Sequence, residues 1–208
     1  NGIPQFAISI AYEEKGEIIC GVIFNPIINE MFVAEKGNGA YLNNSRIRVS
    51  NKKRIKDALL VTGGPKGASK IKEKIFSEYI NISNNVSNVR KFGSAALDMA
   101  YVACGRFDGY WQSEINLWDA AAGIVIVKEA GGFIDYVNID QNNPNKINII
   151  APKAQDIISK NDKEKISISL FLFIMASPLK AQVIILGFEM LISKSSYLLL
   201  GLLLMAII

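Results

Sequence analysis

Two apolar, β-branched runs stand near the start of the sequence, Phe6–Tyr12 and Ile18–Phe24, separated by the polar link Glu13-Glu14-Lys15-Gly16. A link that short has no room for a crossover helix, so the runs are expected to pair antiparallel as a hairpin. Met31–Glu35 reads as a third strand, and Gly37, Gly39 and Asn43-Asn44 mark tight turns around Ala40–Leu42. Residues 1–50 therefore read as an antiparallel meander.

The pattern then alternates. Ala58–Thr62 is a short strand stopped by Gly63-Gly64-Pro65. Lys70–Ile80 places Ile71, Ile75, Phe76 and Tyr79 at helical spacing, and Val86–Arg90 returns to strand character. Ser94–Cys104 reads as a helix of small residues with Leu97, Tyr101 and Cys104 on one stripe, ended by Gly105. Phe107–Trp111 is a strand, and Asp119–Ala130 an alanine-rich helix stopped by Gly131-Gly132. Phe133–Val137 and Ile147–Ile150 read as strands, with Pro152–Lys160 as a closing helix. Strands first, then strand alternating with helix, argue a layered α/β fold.

Histidine is absent from the 208 residues. That removes Ser-His-Asp and Cys-His arrangements, histidine general bases and histidine-ligated metals together. Catalysis by such a chain falls to carboxylates, hydroxyls, amides and a hard cation. The two cysteines, Cys20 and Cys104, sit inside apolar runs without CxxC spacing. They are expected to be small buried residues, which suits a reducing cytoplasm and not a zinc site. Net charge is +4, but the lysines are scattered (Lys70, Lys72 and Lys74 fall on one helix) and no basic stripe interleaves with aromatics. Nucleic acid is therefore not an expected partner.

Three constellations carry chemistry. In Leu117-Trp118-Asp119-Ala120-Ala121-Ala122-Gly123 a carboxylate opens a helix between a large aromatic and residues small enough for close packing. The same Asp119 would also serve as a plain helix cap against the positive dipole end. In Arg90-Lys91-Phe92-Gly93-Ser94-Ala95 a Gly-Ser-Ala turn at a helix start offers free N–H groups and a hydroxyl to an oxyanion or a sugar hydroxyl. An ordinary Ser N-cap has the same look. In Gly109-Tyr110-Trp111-Gln112 a strand delivers Gln112 ahead of Asp119; it is either a donor and acceptor for a polyol or a solvent-facing strand end.

In this order and spacing the constellations resemble the inositol monophosphatase family. GSAALDMAYVACGRFDGYW followed by WDAAAGIVIVKEAGG is similar to that family's C-terminal signature. The opening NGIPQFAISIAYEEKGEIICGVIFNP resembles the stretch just after its first metal-binding loop. The resemblance covers about residues 1–160 and implies an αβαβα sandwich of the sugar-phosphatase type, here as a partial domain. It implies a Mg²⁺-dependent phosphate monoester hydrolase acting on inositol monophosphate or a related sugar phosphate, cytoplasmic and homodimeric. By motif position Asp119 becomes the metal ligand nearest the leaving group and touches substrate, Gly93, Ser94 and Ala95 line the inositol pocket, and Gln112 bonds a ring hydroxyl.

Two departures stand out. The family commonly has Glu where this chain has Gln112, and Glu114 sits at the wrong spacing to replace it. The family's Asp-x-x-Asp-Gly-Thr loop and an earlier Glu would precede Asn1, so the expectation is an N-terminally clipped chain with little or no catalysis of its own, its catalytic residues otherwise unassigned. The alternative is a non-catalytic remnant or a membrane-associated binding protein. Residues 161–208 lie outside the family pattern: from Ile166 onward the only charged residues are Lys180, Glu189 and Lys194. Tyr197–Ile208 is shorter than the about 20 residues a membrane span needs, although Ile166–Ile192 is long enough. A membrane hairpin, an amphipathic dimer surface and a translated frameshift all remain open for this tail.

Overall fold

A computed structural model describes residues 2–63, 69–152, 182–185 and 188–190. Strands β1 (Ile8–Glu14), β2 (Glu17–Asn25), β3 (Glu30–Glu35), β4 (Gly39–Leu42) and β5 (Ser45–Arg46) form the expected antiparallel meander. The β1–β2 turn takes φ 53° at Lys15 and 80° at Gly16, the left-handed geometry that a two-residue hairpin linking right-twisted strands requires. Along β3 burial alternates: Phe32 and Ala34 are buried, whereas Val33 and Glu35 are exposed. One face of this sheet thus meets the core.

After a single 3₁₀ turn at Ile55–Asp57 come β6 (Leu59–Thr62), α1 (Ser69–Ser83), β7 (Asn88–Arg90), α2 (Ala95–Ala103), β8 (Gly109–Asn116), α3 (Leu117–Glu129), β9 (Asp135–Asn138) and β10 (Lys146–Pro152). They build a second sheet in the order β7-β6-β8-β10-β9, with β6 parallel to both β7 and β8. In the apolar tail, β11 (Gln182–Ile185) and β12 (Phe188–Met190) extend the first sheet beyond β1. Of the anticipated closing helix Pro152–Lys160, Pro152 instead ends β10 and the rest lies outside the described residues. No helix among the described residues is long and apolar enough to cross a membrane.

Four layers stack. Helices α2 and α3 lie between the two sheets, and their small residues make the sandwich thin: Ala96, Ala100, Ala103, Ala120, Ala122 and Gly123 are all buried. On the far side of the second sheet, Tyr79 and Ile82 of α1 pack on Leu60, Val89 and Trp111. Among the described residues these are four of the five layers of the αβαβα sandwich, sheet–helix–sheet–helix.

The closeness of α3 to the first sheet is set at Gly21. A Cβ there would lie 2.8 Å from both Ala122 Cα and Val125 Cγ1 and 2.9 Å from Ala122 O. Backbone atoms cannot rotate away, so Gly21→Ala has to lift the helix; it is expected to cost about 1–3 kcal/mol, read as a lower urea midpoint at unchanged slope. Glu129 ties the far end of α3 to the β3–β4 turn, its two carboxylate oxygens accepting the N–H groups of Gly37 (2.9 Å) and Gly39 (2.8 Å). Arg106 grips Glu30 through both guanidinium ends and lies over the Tyr101 ring, 4.8 Å from its centroid.

Both cysteines are half-buried, less enclosed than their apolar neighbours in sequence suggest. Cys104 is the C-cap residue of α2, where the chain turns outward. Burial pushes both thiols up, helped at Cys20 by the charge of Glu35, and so keeps them protonated.

Candidate active site

The parallel strands decide where a ligand can sit. β6, β7 and β8 point the same way, and in open α/β sheets the crevice lies beyond the carboxyl ends of such strands. Gly63 follows β6; Gly93, Ser94 and Ala95 follow β7; Asp119 follows β8. Segments far apart in sequence therefore share one edge of one sheet. Thr62 closes that edge, its hydroxyl donating 2.6 Å to the Trp111 carbonyl.

Gly93 takes φ 89°, which lets the chain turn sharply into α2. Ser94 stands at the N-cap with extended backbone (φ −128°, ψ 98°), but its hydroxyl makes no capping hydrogen bond. The α2 N-terminus thus presents first-turn N–H groups and a hydroxyl uncommitted to capping.

Helix α3 starts two residues earlier than its alanine pattern suggests. Asn116 is the N-cap, so Asp119 does not open the helix but lies third within it, in the first turn. The reason is that Leu117 continues directly from β8, its N–H donating 2.7 Å to the Asn145 carbonyl. Asp119 is half-buried, and its side chain accepts a long 3.4 Å hydrogen bond from the Asn116 side-chain amide. No salt bridge to it is present among the described residues. Its carboxylate keeps hard oxygen donors for a cation, but no group of three or more acidic, cysteine or histidine residues able to hold a metal exists among the described residues. Asp119 therefore fits as one ligand of a Mg²⁺ ion and not as a whole site.

Gln112 is not a solvent-facing strand end: it is buried, 8% exposed. Its carbonyl accepts the Tyr110 hydroxyl at 2.6 Å, and it lies across Gly63, where a Cβ would come within 2.0 Å of Oε1. Directly after it, β8 carries a bulge opposite Asn148: the pairing jumps from Gln112↔Ile149 to Ile115↔Ile147. Glu114 sits in that bulge with φ 56°, its N–H held by Asn148 Oδ1 at 2.9 Å. The extra residue breaks the two-residue alternation of the strand, so Glu114 does not share Gln112's face.

Two residues that the motifs did not single out stand beside the candidate site: Tyr110, hydrogen-bonded to Gln112, and Asp98, whose charge acts on Tyr110. Asp98 is in the first turn of α2, 1% exposed, and neither carboxylate oxygen has a hydrogen-bond partner among the described residues. Burial pushes its carboxyl up to about 7. Tyr110 is also buried; burial first, then the charges of Asp98 and Asp119, push its hydroxyl well above the ordinary phenol range. One phenol thus senses the first turns of both helices, which cross closely where Gly123 meets Met99. The available signal for Asp98 was a lone carboxylate in the apolar run Ala-Leu-Asp-Met-Ala.

The raised carboxyl makes stability fall with pH. The folded value near 7 exceeds the ordinary 3.8, so the folded state holds the proton that the unfolded chain has lost. The penalty is absent below about pH 4, grows through the window, and is complete above about pH 7. Asp98→Asn is expected to stabilise the chain at pH 8 by about 1–2 kcal/mol, because a buried amide still lacks partners, and not at pH 4. Melting temperatures at the two pH values check this.

With this geometry stands a direct likeness: the family model described as the inositol monophosphatase family matches residues 1–167. The chain belongs to that family. Among curated relatives, the inositol-1-monophosphatase of Rhizobium meliloti (strain 1021) is 46% identical over 133 residues, 64% of this chain and 50% of its own length. The Nus factor SuhB of Escherichia coli (strain K12) is 37% identical over 174 residues, 81% of this chain and 64% of its own length. The crystal structure of extragenic suppressor protein suhB from Bartonella henselae superposes with TM-score 0.71 at 44% identity, covering 80% of this chain and 64% of that one. The inositol monophosphatase of Anabaena (Nostoc) sp. PCC 7120 follows with TM-score 0.65 at 35% identity, covering 76% and 64%. The chain spans about half the length of the first curated relatives it matches. Family membership carries the sandwich fold with it.

Proposed function

We propose that the chain is the substrate-side portion, over residues 1–160, of a Mg²⁺-dependent phosphate monoester hydrolase acting on inositol monophosphate or a related sugar phosphate. What supports this reading is the topology: the Gly93-Ser94-Ala95 turn follows β7, Gln112 lies one residue past Trp111, the partner of the last β6 residue, and Asp119 follows β8, three strands that run parallel. Asp119 would supply one carboxylate to the ion. A bound Mg²⁺ contributes the activation of a water and the neutralisation of charge on the leaving oxygen.

The chain's own residues do the rest. The free N–H groups and Ser94 hydroxyl at the α2 start receive substrate hydroxyls or an oxyanion, sharpened by the helix dipole. Gln112 fixes the orientation of the leaving group, so that the ester oxygen faces Asp119. The absence of histidine suits this division of labour, because hard oxygen donors need no imidazole.

The protein in its full encoded length is expected to release phosphate from inositol 1-phosphate with Mg²⁺; no release at saturating metal and substrate overturns the reading. The 208 residues alone are expected to release little or none, since among the described residues Asp119 stands without the further carboxylates such an ion needs. Several similar proteins bear the name Nus factor SuhB instead of a phosphatase name, so hydrolysis itself has to be measured. The cytoplasmic setting, the homodimer and the small monoester as partner belong to the same proposal.

A further inference from the structure

We propose that Gln112 presents hydrogen-bond donors to the substrate, and that the site accepts phosphate monoesters carrying a carboxylate or carbonyl oxygen beside the ester carbon. This rests on the phosphatase reading above and deepens it. The Tyr110 hydroxyl is buried and must find an acceptor. Neither oxygen of Asp98 is hydrogen-bonded among the described residues, so the carbonyl of Gln112, 2.6 Å away, takes that proton.

A hydroxyl that needs an acceptor thereby orients the amide. Gly63 completes the cradle: the side chain lies where any Cβ at 63 would collide with Oε1, Cδ and Nε2 at 2.0, 2.2 and 2.7 Å. With its carbonyl committed, Gln112 has its NH₂ left. Among the described residues that nitrogen has no hydrogen bond, so its two donors are left for a ligand.

An NH₂ group donates equally to a hydroxyl oxygen, a carbonyl or a carboxylate. A glutamate at the same place would also accept from Tyr110 with one oxygen, but its other oxygen would face the crevice as a charged acceptor. It would welcome hydroxyls and repel a carboxylate. The one-atom difference from NH₂ to O⁻ therefore sets which leaving groups enter. Tyr110 is a positioning residue, acting only through the amide it orients.

The test compares two esters differing at one carbon, glycerol 2-phosphate and 2-phosphoglycerate, in the full-length protein with Mg²⁺. The unsubstituted protein is expected to hydrolyse both. Gln112→Glu is expected to lower kcat/KM for 2-phosphoglycerate at least about 10-fold relative to glycerol 2-phosphate, mostly through KM. Tyr110→Phe frees the amide to rotate and is expected to change the ratio of the two substrates, whereas a purely structural role would lower both alike. Hydrolysis of both esters with a ratio that Gln112→Glu leaves unchanged overturns this inference alone. Failure to hydrolyse either ester or inositol 1-phosphate overturns the phosphatase reading, and this one with it.

Discussion

Asp119→Asn is expected to lower Mg²⁺-supported hydrolysis by the full-length protein at least about 100-fold, the scale on which loss of a charge-stabilising group at a reacting centre is felt. The same change is expected to move the melting temperature by only a few degrees. The replacement is isosteric, and the lost interaction with the helix dipole amounts to about 0.3–1 kcal/mol at a half-exposed position. The 3.4 Å hydrogen bond that this side chain receives from Asn116 is one that an amide oxygen still accepts. Activity and stability thus separate, and the separation distinguishes a metal ligand from a helix-stabilising charge. If the Asp119→Asn variant kept most of its phosphate release but lost stability, the carboxylate would be structural. Titrating Mg²⁺ into both proteins adds a second readout, a weaker half-saturating concentration in the variant.

Asp108→Ala is expected to cost the fold about 3 kcal/mol. Its side chain is 1% exposed and accepts from the Ser50 hydroxyl, from Lys52 Nζ at 2.8 Å and from the Leu59 N–H at 2.7 Å. It bolts the segment leaving the first sheet to the start of β6, the strand against which β7 and β8 align. Alanine returns Lys52 to water at little cost but strands the Leu59 N–H inside the protein. Urea unfolding at pH 7 measures the loss. Burial alone would raise this carboxyl, yet the hydrogen bonds from Lys52, Ser50 and Leu59 overcome it and hold the group below its ordinary 3.8. The stability it contributes is therefore present above about pH 4 and is lost as pH falls through the lower folded value. The difference between the parent and Asp108→Ala should shrink in acid because a stabilising contribution is lost, whereas at Asp98 what acid removes is a penalty.

Much of the fold was legible before any coordinates. The hairpin at 8–25 followed from two β-branched runs and a link too short for a crossover, and the α3 stop from Gly131-Gly132, where Gly131 adopts φ 85°. Boundaries moved where strands ran on. Phe107–Trp111 became Gly109–Asn116 because Phe107 and Asp108 serve the turn, and pairing with β10 carries the strand to Asn116. The start of α3 moved from Asp119 to Leu117 for the same reason. For the candidate site, Gly93, Ser94, Ala95, Gln112 and Asp119 could be proposed from their motifs, but Tyr110 and Asp98 could not. Nothing in a strand of Tyr-Trp-Gln says which side chain will orient the next but one.

Local chemistry determined what this sequence could decide alone: where strands pair, where helices stop, and which polar groups are left over once histidine is absent. Those are properties of neighbours along the chain, set by turn lengths, side-chain periods and glycine's freedom. Tertiary structure alone decided which leftovers meet. The parallel order of β7, β6 and β8 brings residues 63, 93–95, 112 and 119 to one edge, and a bulge opposite Asn148 separates Gln112 from Glu114. Among the described residues the buried Tyr110 hydroxyl donates to the Gln112 carbonyl, and burial of that kind exists only once the layers have closed.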